Sequence, residues 1–88
     1  MDRPETTPQN VNASNKEVYQ KWMERLQTKG PHIFASSHEI LGVVTEEFYE
    51  LIDAVKSNDI DNVEKELVDI AVARLQGLAS IKSNEMDW

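Results

Sequence analysis

Five carboxylates stand at short helical spacing in two segments of the chain, Glu46-Glu47-Phe48-Tyr49-Glu50 and Glu66-Leu67-Val68-Asp69. Residues three or four apart share one side of a helix, so each segment presents its carboxylates in one direction. Like charges at this spacing destabilise a helix, which means that they do not serve the helix itself. Carboxylate oxygens select Mg²⁺, Mn²⁺ or Ca²⁺ over softer metals. We therefore predict a divalent-cation site where the two segments meet.

Composition narrows the classes of function. The 88-residue chain has no cysteine, which excludes disulfides and thiolate chemistry and fits a cytoplasmic protein. Its formal charge of −7 argues against nucleic-acid binding, which needs clustered lysine and arginine. The start, Met1-Asp2-Arg3-Pro4-Glu5, is not a signal peptide, and no apolar stretch is long enough to span a membrane. A nucleotide partner stays open, because a bound metal would invert the local charge.

Capping patterns divide the chain into three helices. Ser14 with Glu17, Ser36 with Glu39, and Asp61 with Glu64 each resemble a helix start. We predict helices at about 15–29, 37–57 and 61–82, within a helical domain spanning 14–82. A mobile N-terminal tail (1–13) and a short C-terminal tail (83–88) flank this domain. The fold class is all-α, a small bundle in which the second and third helices are antiparallel neighbours.

The third helix is apolar around nearly its whole circumference, so we expect a second subunit to cover part of it, giving at least a homodimer. Its narrow polar strip is predicted to face water and holds Glu66, Asp69, Ala73, Gln76 and Ser80. On the second helix, Glu47 and Glu50 fall at the edge of the apolar arc and should be half-buried. Glu46 lies further towards the polar side.

A solvated helix face is the simpler interpretation of such charge runs. Solvated faces usually mix glutamate with lysine at four-residue spacing. Residues 46–53 contain no basic residue, and we expect Lys65 to lie well round its helix from Glu66. The alternative to an enzyme is a non-catalytic acidic helical module that binds a protein partner or itself.

The ordered pair Glu46-Glu47-x-x-Glu50 and Glu66-x-x-Asp69 resembles the EExxE–ExxD signature of the MazG-like, all-α nucleoside triphosphate pyrophosphohydrolases, and the similarity spans roughly 18–81. The resemblance implies cleavage of an NTP or dNTP to the monophosphate and pyrophosphate, in a homodimer or higher homo-oligomer. It implies Mg²⁺, for which Mn²⁺ could substitute, held by Glu47, Glu50, Glu66 and Asp69. Glu46 would be an outer ligand or would orient water.

The resemblance also implies side chains that bind the substrate, and the candidates are few. Basic residues that could contact phosphates are Lys21, Arg25, Lys29, Arg74 and Lys82. Trp22 is expected in the core, and stacking of a nucleobase on it is the alternative. Base preference and sugar preference are not determined by these residues.

Overall fold

The computed structural model describes residues 2–88 and contains three helices, α1 (Pro8–Lys29), α2 (Ser37–Lys56) and α3 (Ile60–Lys82). No strand occurs within the described range. The predicted fold class, a small all-α bundle of three main helices, is confirmed. The bounds of α2 and α3 agree with the predicted ones to within one residue, whereas the start of α1 does not.

The first helix begins at Pro8 rather than at about residue 15, so the predicted start is wrong. The Thr7 side chain caps it by accepting a hydrogen bond from the Asn10 N–H at 3.1 Å. Proline suits the first helical position because no intrahelical partner awaits its missing N–H. Ser14, the predicted cap, lies inside the helix and donates to the Asn10 carbonyl at 2.8 Å. Residues 8–13, which we assigned to the tail, are therefore exposed helical turns.

Side-chain caps also fix the starts of the other two helices. The Ser36 hydroxyl accepts from the Glu39 N–H at 3.3 Å, and the Glu39 carboxylate accepts from the Ala35 N–H at 2.7 Å. The cap of α3 is Asp59, which accepts from the Asn62 N–H at 3.2 Å. Asp61, the predicted cap, instead lies in the first turn of α3.

The third helix is the centre of the molecule. It packs closely against both α1 and α2, while the backbones of α1 and α2 lie further from one another within residues 2–88. Ile40, near the start of α2, lies 3.5 Å from the position of a Cβ on Gly77, near the end of α3. The two helices are therefore antiparallel. The apolar core is small, and its buried members are Phe34, Ala54, Val72 and Ala73.

The polar strip of α3 faces the interior, contrary to the prediction that it faces water. Glu66, Gln76 and Ser80 are buried, and Ser80 is fully so. Meanwhile Leu67, Leu78 and Ile81 of the same helix are exposed. Hydrogen bonds to the neighbouring segments compensate the burial of Gln76 and Ser80, which a reading of α3 alone could not anticipate.

Gln76 and Ser80 of α3 form hydrogen bonds with residues 30–36, the segment that connects α1 to α2. The Trp22 indole N–H donates to Gln76 Oε1 at 2.8 Å, and Gln76 Nε2 donates to the His32 carbonyl at 2.9 Å. The Phe34 N–H donates to the Ser80 hydroxyl at 3.0 Å. These contacts hold Phe34 in the core, on the side of α3 that faces α1.

Candidate metal centre

Three of the five carboxylates converge between α2 and α3. Glu47, Glu66 and Asp69 each offer an oxygen that lies within 4.8 Å of the others. Glu66 and Asp69 share one side of α3 because they are three residues apart, and the antiparallel packing brings Glu47 of α2 opposite them. Glu66 is buried, with 8% of its surface exposed, and the other two are half-buried.

Two oxygens of this cluster lack a protein partner. Glu47 Oε2 and Glu66 Oε2 are buried, and neither forms a hydrogen bond with the described part of the chain. Leaving a charged oxygen buried and unpaired is costly, because desolvation is not compensated. A small divalent cation takes several carboxylate oxygens at once and would remove this cost. The donor set therefore fits a hard cation.

Crowding perturbs the acidity of the cluster. Burial, followed by repulsion from Glu50, Asp69 and Glu66, raises the pKa of Glu47 to about 7. The pKa of Glu50 is also raised, chiefly by the neighbouring Glu66 carboxylate. Glu50 therefore lies next to the buried carboxylate. Its own side chain is exposed, so the prediction that Glu50 is half-buried is wrong, whereas the same prediction for Glu47 is confirmed. Glu46 is exposed and is not a member of the converging trio.

Lys65 contacts the cluster, contrary to the prediction that it lies well round the helix from Glu66. Its ammonium donates to Asp69 Oδ2 at 3.0 Å and to Glu66 Oε1 at 3.3 Å. These two hydrogen bonds raise the pKa of Lys65 to about 12. The four-residue spacing from Lys65 to Asp69 could have revealed this ion pair, because residues at i and i+4 are neighbours on a helix.

A groove of about 340 Å³ runs beside the cluster, and all three helices line it. Glu47 and Asp69 line it from α2 and α3. The α1 wall carries three basic residues and one acidic residue, which are Lys21, Arg25, Lys29 and Glu24. Phe34, Val43, Val72 and Ala73 supply apolar lining. The groove thus offers acidic and basic groups to the same ligand.

Arg25 has free hydrogen-bonding capacity in this groove. Its guanidinium lies over the Phe34 ring, 5.4 Å from the centroid, and its Nη1 is buried without a hydrogen-bond partner in residues 2–88. Stacking on an aromatic ring holds the planar group in place. The guanidinium thus lines the groove from a fixed position, and the residues described leave its Nη1 unpaired.

Residues 35–87, more than half of the chain, match the family model of the MazG nucleotide pyrophosphohydrolase domain. The chain belongs to this family. The matched segment includes α2, α3 and all five carboxylates of the two acidic segments, whereas α1 lies outside it. Searches among curated proteins and among solved structures found no match. Within residues 2–88, none of the helices has the length and apolarity needed to cross a membrane.

Three of the predicted substrate-binding residues of this MazG domain, Trp22, Arg74 and Lys82, do not line the groove. Trp22 is half-buried, and its indole N–H is taken by Gln76. Lys82 ends α3, about 20 Å along the helix axis from Asp69 at 1.5 Å per residue. Lys21 does line the groove and also pairs with Glu24 at 3.3 Å. Sequence reasoning did not anticipate the stacking of Arg25 on Phe34, because Phe34 lies in a connection whose path depends on Ser80.

Proposed function

We propose that this MazG domain is a Mg²⁺-dependent pyrophosphohydrolase that cleaves an NTP or dNTP to the nucleoside monophosphate and pyrophosphate. The observation that carries the proposal is the pair of buried, unpartnered carboxylate oxygens of Glu47 and Glu66. They lie beside a groove whose α1 wall has a net positive charge. A metal-bound triphosphate carries a positive metal ion, which the carboxylates would bind, and negative phosphates, which the basic residues would bind.

Glu47, Glu66 and Asp69 would hold the metal, and Glu50 would add a fourth carboxylate because it already lies against Glu66. Bound Mg²⁺ would neutralise phosphate charge and lower the pKa of a water molecule. Glu46, exposed on the adjacent turn, is suited to orienting the attacking water. Phosphoryl transfer depends on positioning and charge neutralisation more than on a protein nucleophile.

The α1 wall would bind the phosphates. Arg25 presents a fixed fork of donors that matches phosphate oxygens, and burial beneath the substrate would strengthen each contact. Lys21 and Lys29 lie four residues on either side of Arg25, and both line the groove. The three cations therefore form one row along α1 that could follow the length of a polyphosphate chain.

Assembly into a homodimer is part of the proposal. Leu41, Phe48 and Val55 are exposed on α2 at seven-residue spacing, which places them on one stripe. Leu67, Leu78 and Ile81 are exposed on α3. Apolar side chains of this number favour a subunit interface, because the small domain cannot cover them alone.

The ion pairs of Lys65 favour the alternative function, a non-catalytic acidic module that uses the same apolar stripe to bind a partner. A lysine that neutralises part of the cluster reduces the need for a metal. The two functions differ in metal dependence, because a binding module needs no cation for turnover.

Release of pyrophosphate from a panel of NTPs and dNTPs tests the proposal. We expect release with Mg²⁺, loss of release with EDTA, and recovery when Mg²⁺ or Mn²⁺ is restored. A chain that binds Mg²⁺ yet releases no pyrophosphate from any nucleotide would contradict the catalytic proposal and support the binding module.

A further inference from the structure

Lys65 is the cation that the fold itself places against the candidate metal centre. Its ammonium donates to Asp69 Oδ2 and to Glu66 Oε1, so two of the three converging carboxylates already share a positive charge. Among residues 2–88 no other basic side chain forms an ion pair with these carboxylates. Glu47 has no such pair, and its Oε2 remains without a partner.

The ammonium and the carboxylates differ in their freedom to move. The Lys65 side chain is 59% exposed, whereas the side chains of Glu66 and Asp69 are 10% and 26% exposed. Packing therefore fixes the carboxylates, while the flexible lysine stem can turn into water. Asp61 lies four residues before Lys65 and lines with it a shallow pocket between α1 and α3, so another carboxylate is within reach of the ammonium.

The ammonium and a divalent cation would share two carboxylate groups, those of Glu66 and Asp69. Mg²⁺ binds carboxylate oxygens at about 2.0–2.1 Å, so an ion between these residues would stand within a few ångström of the Lys65 ammonium. Repulsion between like charges is stronger in a partly buried site than in water. The two cations therefore compete rather than bind together.

We propose that Lys65 is a displaceable counter-ion of the metal site. It neutralises part of the cluster before a divalent cation binds, and it turns away towards Asp61 when the cation enters. This inference rests on the proposed metal site. If so, Lys65 weakens the binding of a free divalent cation when no nucleotide is present. The cation would then bind mainly as a complex with the nucleotide.

Mg²⁺ binding to the full chain without nucleotide tests this role, measured by calorimetry and by the change in melting temperature. Lys65→Met removes the charge and keeps the length of the stem, whereas Lys65→Arg keeps the charge. Lys16→Met removes one exposed positive charge from α1 and is the control. We expect Lys65→Met to tighten Mg²⁺ binding by a factor on the order of three to ten and to lower the melting temperature without metal. The arginine and control variants should remain close to the wild type.

Equal or weaker Mg²⁺ binding by Lys65→Met would overturn the proposal, since weaker binding would mean that Lys65 orients the ligands. A second measurement needs no variant. The ¹⁵N resonance of the Lys65 ammonium should move on Mg²⁺ titration of the wild type, and an unchanged resonance in a chain that binds Mg²⁺ would also overturn it. A wild type that does not bind Mg²⁺ contradicts the metal site itself, which is a distinguishable result.

Discussion

Arg25 of α1 and Glu47 of α2 line the same groove, and each carries a buried side-chain atom without a hydrogen-bond partner in residues 2–88. The two charges are opposite, yet no ion pair joins them. A groove that keeps an unpaired cation and an unpaired anion on separate walls is suited to a ligand that contacts both. A phosphate chain carrying a metal ion has this character.

Arg25→Gln should raise the KM for nucleotide about 10- to 100-fold, the equivalent of one lost charge-assisted hydrogen bond. The melting temperature should stay the same or rise, because the arginine has no partner for its buried Nη1 in the free protein. Steady-state kinetics and thermal melting check both expectations. Arg74→Gln is the matched control, since Arg74 is exposed and does not line the groove. Equal KM values for the two variants would contradict a phosphate-binding role.

Asp69→Asn and Glu50→Gln should each abolish pyrophosphate release while leaving the helices folded. An amide of the same shape supplies neither the charge nor the two equivalent oxygens that a hard cation needs. Circular dichroism checks the fold and a pyrophosphate assay checks turnover. Glu64→Gln, an exposed carboxylate of α3 that does not line the groove, should retain activity. Similar activity in all three variants would remove the catalytic assignment.

Stability without metal should depend on pH through Glu47. Its folded pKa of about 7 lies above the ordinary value of 4.5, so the folded protein keeps this proton longer than the unfolded chain does. Ionised Glu47 therefore costs stability, and the cost grows as pH rises from about 4.5 to about 7. Glu47→Gln should remove this loss, so that its melting temperature in EDTA exceeds that of the wild type at pH 8 but not at pH 4.5.

Mg²⁺ should offset the loss of stability that ionised Glu47 causes in the wild type, because Mg²⁺ binds the folded site in preference to the unfolded chain. The rise in melting temperature should be largest above pH 7, where the carboxylates are ionised. Glu47→Gln should show a smaller rise. The absence of any Mg²⁺ effect on the wild type at pH 8 would indicate that the cluster is charged surface only.

Ser80→Ala should destabilise the fold by about 1–3 kcal/mol, because the buried Phe34 N–H would lose the Ser80 hydroxyl as its acceptor. Urea denaturation measures the change in the free energy of unfolding. Ser14→Ala is the control, since its exposed hydroxyl donates only to a carbonyl of its own helix, and its effect should lie within about 0.5 kcal/mol. Comparable losses in the two variants would show that the Phe34 contact is not important for stability.

Phe48→Glu should convert a homodimer into monomers, because it places a charge on the exposed apolar stripe of α2. Sedimentation at micromolar concentration measures the state of assembly. Glu39→Gln, outside the stripe, should leave assembly unchanged. A wild type that sediments as a monomer at this concentration would contradict the homodimer.

Local sequence determined most of the secondary structure of this domain. Helical periodicity predicted α2 and α3 to within one residue, and the Ser36 cap also predicted the start of α2, since these signals act over a single turn. The start of α1 was wrong because two start signals compete there, and the Thr7–Pro8 signal prevails over the one at Ser14. The spacing of Glu66 and Asp69 also fixed their common side of α3, because geometry within one helix needs no tertiary information.

Tertiary structure decided which side of α3 is buried and which charges meet. The strip with Gln76 and Ser80 is interior because Trp22, His32 and Phe34 supply its hydrogen bonds, and all three are more than forty residues away in sequence. The position of Arg25 across the groove from Glu47 likewise depends on the packing of both α1 and α2 against α3. The sequence specifies the charges, but their distances and burial arise from contacts between segments, which periodicity within one helix cannot reveal.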